Sequence, residues 1–156
     1  MGQIKAKTMI EKMGFVDKEK GTPEHDRIQE WTYHNALKIR NELLQPLPKH
    51  KVLGNIWEQR LMSGNFVAGF VDILLTLQVN SFDEKILFES DKEFVCFEIK
   101  VNIPSVGELI RQIRFYQTYL PASTKFVIVS SVDKFKDLLN SQGIYFYKYQ
   151  DPEKLF

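Results

Sequence analysis

The sequence predicts an α/β domain, a mixed central sheet with helices on both faces. Three observations predict it. A capped amphipathic helix begins at Thr22-Pro23. Two apolar runs, FVAGFVDILLTLQV over 66–79 and FVCFEIK over 94–100, read as strands covered on both sides. Two later strand-like runs, KFVIVSS over 125–131 and GIYFYKY over 143–149, each follow a helical segment, and the first is expected to run parallel to FVCFEIK through a right-handed crossover.

Taking the chain in order, residues 1–21 are expected to be an arm that packs on the domain edge through Met9, Ile10, Met13, Phe15 and Val16. Its lysines, mixed with acids, read as a solvated charge run. Residues 22–156 are expected to form the single domain. In GTPEHD, Thr22 is the N-cap, Pro23 the first helical residue, and Glu24 and Asp26 lie where the helix dipole favours anions. The spacing of Ile28, Thr32, Asn35, Ile39 and Leu43 carries one helix to about Leu44, before Pro46 and Pro48 stop it. NIWEQRLM and the first apolar run flank Ser63-Gly64-Asn65, a hairpin with a three-residue loop. Residues 80–93 are polar, with a short strand expected at KILFE. In the second apolar run, alternation puts Phe94, Cys96, Glu98 and Lys100 on one face and Val95, Phe97 and Ile99 on the other. Ser105 caps a helix to about Leu120, and a last helix is expected over Val132–Asn140.

Composition narrows the function classes. The 156 residues suffice for one core, and 44% hydrophobic with 26% charged residues is ordinary for a soluble globular protein. No window approaches the ~18 apolar residues of a membrane span. MGQIKAKTMIEKMG has no apolar stretch of the secretory kind, and Ala6 stands where a myristoylation signal needs Ser or Thr. The single Cys96 lies in the most apolar strand, so a cytoplasmic location and a buried, unreactive thiol are expected. A net charge of +1 neither demands nor excludes nucleic acid. No Gly-rich phosphate loop and no zinc-like spacing occurs.

Asp72 inside one apolar strand, and Glu98 with Lys100 at the end of the next, form the strongest chemical signal. Carboxylates brought together on adjacent strands repel unless a cation lies between them, and hard oxygen ligands favour Mg²⁺ or Mn²⁺. A lysine two residues from one acid faces the same way and can position a water or counter phosphate charge.

These residues, GFVDILL around Asp72, FEIK with Glu98 and Lys100, and RQIRFY with Gln112 and Tyr116, resemble the PD-(D/E)XK, or restriction-endonuclease-like, nuclease superfamily over residues 22 to 149. Val71 stands where the named pattern has Pro. Glutamine followed four residues later by tyrosine is similar to the extra motif of the RecB-type and Cas4-type branch. The resemblance implies an αβββαβ core and a magnesium-dependent (or Mn²⁺-dependent) DNA endonuclease that hydrolyses phosphodiester bonds in repair, restriction or mobile-element work. It implies that Asp72 and Glu98 hold the metal, with the Ile99 carbonyl as a further ligand. Lys100 then acts on the attacking water, and Gln112 and Tyr116 fix Lys100 or the substrate strand. The superfamily also carries an acid or histidine on its first helix. Glu24 is the first choice here, with His25 and Glu30 its neighbours and Glu58 a rival from the hairpin. Arg111 and Arg114 are candidates for phosphate contact. A domain this small points to a homodimer or to a subunit of a larger nuclease complex. The alternative is a non-catalytic nucleic-acid-binding or regulatory module on the same fold. Motifs this short identify a superfamily and leave the DNA form, and endo- versus exonuclease action, open.

Overall fold

Five strands form one mixed sheet in the order β1-β2-β3-β4-β5. They are β1 (His50–Ser63), β2 (Phe66–Val79), β3 (Lys92–Ile99), β4 (Lys125–Ser130) and β5 (Tyr145–Lys148). The first three pair antiparallel, and β4 and β5 add in parallel beyond β3. The computed structural model describes residues 7–15, 17–47, 49–79 and 92–152. The strand expected at KILFE falls outside them. Helices α1 (Met9–Lys12), α2 (Pro23–His34), α3 (Ala36–Leu43), α4 (Val106–Gln117) and α5 (Lys136–Ser141) complete the fold. The α/β class and the order of helix, three strands, helix, strand are those expected from the sequence. Among the described residues no helix is long and apolar enough to cross a membrane.

Alternation along β3 divides the core in two. Cys96 joins Ile10 of α1, Leu109, Ile113 and Tyr116 of α4, and Leu139 of α5 on one face of the sheet. Val95, Phe97 and Ile99 meet Ile28 of α2 and Ala36 and Ile39 of α3 on the other. Burying each large aliphatic side chain is worth roughly 1.5–3 kcal/mol, so each layer of helices is held chiefly by these contacts.

Three local details depart from the sequence reading. The helix expected to run unbroken from Pro23 to Leu44 is two helices meeting at Asn35, whose Nδ2 donates to the Trp31 carbonyl at 2.7 Å. An asparagine bonded back to the preceding turn competes with the continuing helix, and the backbone there leaves the helical region at φ −119° and ψ 14°. The hairpin loop is shorter than expected: Ser63 pairs with Phe66, and Gly64 at φ 59° takes the left-handed corner of a two-residue turn. The last helix begins at Lys136 rather than Val132, because the Ser130 hydroxyl accepts the Val132 amide at 3.1 Å and holds a turn there.

β1 stands at the edge of the sheet with Val52, Leu53, Ile56, Trp57 and Met62 exposed. In its middle Glu58 adopts φ 53°, a left-handed conformation uncommon outside glycine and asparagine. One buried ion pair ties α3 to β3. Arg40 donates from Nε to Glu93 Oε2 at 2.6 Å and from Nη2 to Oε1 at 3.0 Å, and Lys125 Nζ donates to the same Oε1 at 3.2 Å.

Candidate active site

The site forms where β2 and β3 part. Their last paired residues are Ile73 and Phe97, which leaves Asp72 and Glu98 level with each other just beyond the ladder. Side chains take over there from the missing backbone partners. Glu98 Oε1 accepts the Asp72 amide at 3.0 Å, and Asp72 Oδ2 accepts the Ile99 amide at 2.9 Å. Each carboxylate is therefore held by one oxygen on the opposite strand. The other oxygens are left for something else: Asp72 Oδ1 faces an ammonium, and Glu98 Oε2 is buried with no hydrogen-bond partner. Both residues are buried, as two carboxylates in low dielectric rarely are without a cation.

That ammonium belongs to Lys20, from the arm. Its Nζ lies 3.6 Å from Asp72 Oδ1 and donates to the Phe70 carbonyl at 2.9 Å. Burial works against its charge, but Glu98 and Asp72 outweigh it and hold the amine well above the ordinary lysine range. The two acids respond in opposite directions. Burial, then the Asp72 charge, pushes the Glu98 carboxyl up to about 7. Asp72 is buried as deeply, yet Lys20, His25 and the Ile99 amide hold it below the usual carboxylate range.

From α2, the helix that starts at Pro23, the structure brings His25 and not Glu24. His25 is buried on the sheet-facing side of α2, with Nε2 3.4 Å from Asp72 Oδ2. Burial opposes its protonation, and the Asp72 carboxylate raises its pKa nonetheless. One turn on, Gln29 Nε2 donates to the Asp72 carbonyl at 3.0 Å. Glu24 and Glu30, one residue from His25 and Gln29, are exposed. A helix turns about 100° per residue, so a neighbour in sequence points elsewhere. Glu58 is level with Asp72 on β1, but its left-handed backbone leaves the side chain in solvent.

Lys100 follows the end of β3. Its Nζ donates to Gln112 Oε1 at 3.2 Å and to Asp17 Oδ2 at 3.1 Å. Gln112 Nε2 in turn donates to the Tyr116 hydroxyl at 3.3 Å, which turns its carbonyl oxygen toward Lys100. Tyr116 is fully buried, and burial, then the Glu98 charge, raises the phenol above its usual range. A tyrosine that keeps its proton fixes the glutamine, and the glutamine fixes the lysine. Ile99 meets Asp72 through its amide rather than its carbonyl. Arg111 lies over the Phe15 ring at 5.2 Å, and Arg114 donates to the Gln142 carbonyl at 2.7 Å, so both candidate phosphate contacts already have partners within the chain.

Gly69 supports this chain of contacts from β2. A Cβ there would lie 2.8 Å from Tyr116 Cε1 and 3.3 Å from Ile10 Cγ2. Gly69→Ala must displace the Tyr116 ring, with an expected stability loss of about 1–3 kcal/mol in a thermal or urea melt. If the Tyr116–Gln112–Lys100 series matters to turnover, kcat falls more than KM rises. A stability equal to that of the parent protein would show that the ring has room to move.

The sequence alone does not point to Asp17, Glu19, Lys20, Gln29 or Gly69. A retrievable signal existed for the α2 pair: His25, Ile28, Gln29 and Thr32 share one helical face. For the arm there was none, since Glu19 finds its partners, the amides of Val101 and Asn102, more than eighty residues away.

Fold and site together define a mixed-sheet α/β domain with a buried carboxylate pair beside a strand-end lysine. No protein-family profile matches the chain. No curated protein matches it in sequence. Among solved structures it is similar to a repair endonuclease from Pyrococcus abyssi, at a TM-score of 0.47 and 13% identity, over 88% of this chain and 50% of that one. The chain thus spans about half the length of that structure.

Proposed function

We propose that the chain is a Mg²⁺- or Mn²⁺-dependent nuclease that hydrolyses phosphodiester bonds in DNA. The observation that supports this most is the splayed end of β2 and β3. There two buried carboxylates each use one oxygen on backbone and turn the other away from it, one toward a cation and one without a partner.

The donor set fits such an ion. Mg²⁺ binds through one or two carboxylates, keeps several waters and shares substrate phosphate oxygens, so Asp72 and Glu98 suffice. This holds although no group of three or more His, Cys, Asp or Glu is gathered as ligands among the described residues. When bound, the ion supplies charge neutralisation at the phosphate and acidifies a water. This chain's own residues do the rest. Lys100, held by Gln112, offers an ammonium to the attacking water or to charge building on the phosphate. Gln112 and Tyr116 are positioning residues, acting through Lys100. His25 neighbours Asp72 and orients that carboxylate.

Plasmid nicking in Mg²⁺, Mn²⁺ or EDTA tests the proposal. Nicking is expected with either metal and not with EDTA, and Lys100→Ala is expected to lower its rate about 10²-fold. Cleavage that survives both EDTA and the substitution would remove the assignment.

One observation favours a second reading, a non-catalytic nucleic-acid-binding or regulatory module on the same fold. Lys20 already sits against Asp72, and Asp17 already engages Lys100. Duplex binding without cleavage in either metal would support that reading.

A further inference from the structure

Residues 17–20 lie across the site, and three of their side chains each meet a different part of it. Asp17 takes the Lys100 ammonium at 3.1 Å. Glu19 spans two successive amides just past Lys100, with Oε2 accepting from Val101 N and Oε1 from Asn102 N, both at 2.8 Å. Lys20 sits on Asp72 at 3.6 Å, and its charge also acts on Glu98. The strap presents anions where the site offers N–H donors and an ammonium, and a cation where it offers carboxylates. That is the charge pattern of a phosphodiester and its divalent ion, supplied by side chains of the chain itself.

We infer that residues 17–20 are an internal occupant of the substrate and cation positions, a strap that lifts before a phosphate backbone and a divalent ion enter. The inference rests on the metal-site reading above, and it adds an assignment: the Val101 and Asn102 amides, now held by Glu19, are an anion-binding subsite for a substrate phosphate. Successive backbone amides form such concavities, and a carboxylate and a phosphate oxygen compete for them.

The local build allows the movement. Gly14 at φ 96° and Gly21 at φ 84° flank the segment, and a Cβ at either would touch nothing within 4 Å. Outside these joints Ile10 is buried in the core and the Thr22 side chain caps α2, while the Thr22 amide and hydroxyl also donate to the Glu19 carbonyl at 3.0 and 2.7 Å. Opening therefore leaves Ile10 in place and exchanges the two Thr22–Glu19 bonds for water. A cleft of about 470 Å³ lies between the strap and the start of α4, lined by Asp17, Glu19, Lys100, Asn102, Ser105 and Gln112. The cleft meets the edge of the Asp17–Lys100 pair, whose side chains are each 11% exposed.

Mn²⁺ titration of the full chain, followed by calorimetry and by the paramagnetic signal of free Mn²⁺, tests this with Glu19→Gln. The substitution removes a negative charge near the ion, so electrostatics alone would weaken binding. Release of the strap does the opposite. Affinity is expected to rise about tenfold, the factor that follows if about one molecule in ten is open before substitution. By reciprocity, Mn²⁺ should speed trypsin cleavage after Lys18 or Lys20 several-fold in the unsubstituted protein. Equal or weaker Mn²⁺ binding by Glu19→Gln, with binding by the parent intact, overturns the strap and leaves the metal-site reading standing. Absence of Mn²⁺ binding in both proteins takes away that reading and the strap with it. Cleavage that Mn²⁺ slows also overturns the strap.

Discussion

Glu98→Gln is expected to lower metal-dependent cleavage about 10³-fold or more while leaving the fold as stable as before, or more so. Glutamine keeps the oxygen that accepts the Asp72 amide, so the link between the parted strands survives. It loses the second carboxylate oxygen, the one without a partner. It also ends the repulsion from Asp72 that, after burial itself, keeps the Glu98 carboxyl near pH 7 rather than in the usual range. The sign of the pH dependence follows. A carboxyl whose pKa is raised by folding holds its proton in the native state after the unfolded chain has released it. Stability then falls as pH rises from about 4.5 to about 7 and stays reduced above that. The glutamine variant has no such decline from this position. Its advantage over the parent, on the order of 1–3 kcal/mol, should open across that window and close below it. Urea melts at pH 4.5, 6 and 7.5 measure it. A gap that is constant with pH would show that Glu98 is not strained by ionisation, and cleavage close to the parent's would show that it is not a ligand. Stability sacrificed for function is the usual signature of a working site.

The second large effect is structural. Glu93→Gln should cost about 3–5 kcal/mol, because it leaves the buried Arg40 guanidinium without its carboxylate. Arg40 would keep one amide oxygen at position 93, the Gln45 carbonyl and the Asn41 side chain, but no negative charge. Burial opposes ionisation of Glu93, yet Arg40 and Lys125 hold its carboxyl below the usual range. The stability this contributes is present above about pH 4.5 and is lost as pH falls through the native pKa. The opposite slopes of Glu93 and Glu98 should therefore be separable by acid titration of the two variants. A Glu93→Gln loss under about 1 kcal/mol would mean that water reaches Arg40 and replaces the acid.

How much of this could be read from the residues alone varied with the range of the interactions. Continuous apolar runs report burial on both faces, so β2, β3 and β4 were legible together with the α/β class. Glu98 and Lys100 sit at a strand end and Gln112 and Tyr116 one helical turn apart, so their shared faces follow from periodicity. The break at Asn35 was not legible, because a mid-helix asparagine does not announce whether it points to solvent or back to a carbonyl. His25 against Glu24 was a matter of helix phase, which Ile28 and Thr32 define better than proximity to the N-terminus does. The arm misled for a different reason. A mixture of lysines and acids looks the same in solvent as when each charge has a partner across the fold, and only long-range contacts distinguish the two.

The bent backbone at Glu58 bears on how the molecule keeps company with its own kind. An outermost strand fourteen residues long, with apolar side chains in view, is a template for intermolecular strand addition. A left-handed residue at its midpoint and register shifts at Val52/Gly54 and Leu61/Met62 break that template into short pieces, so an incoming strand cannot zip along its full length. Straightening the bend would lengthen the uninterrupted stretch, and with it the tendency to stack into fibrils.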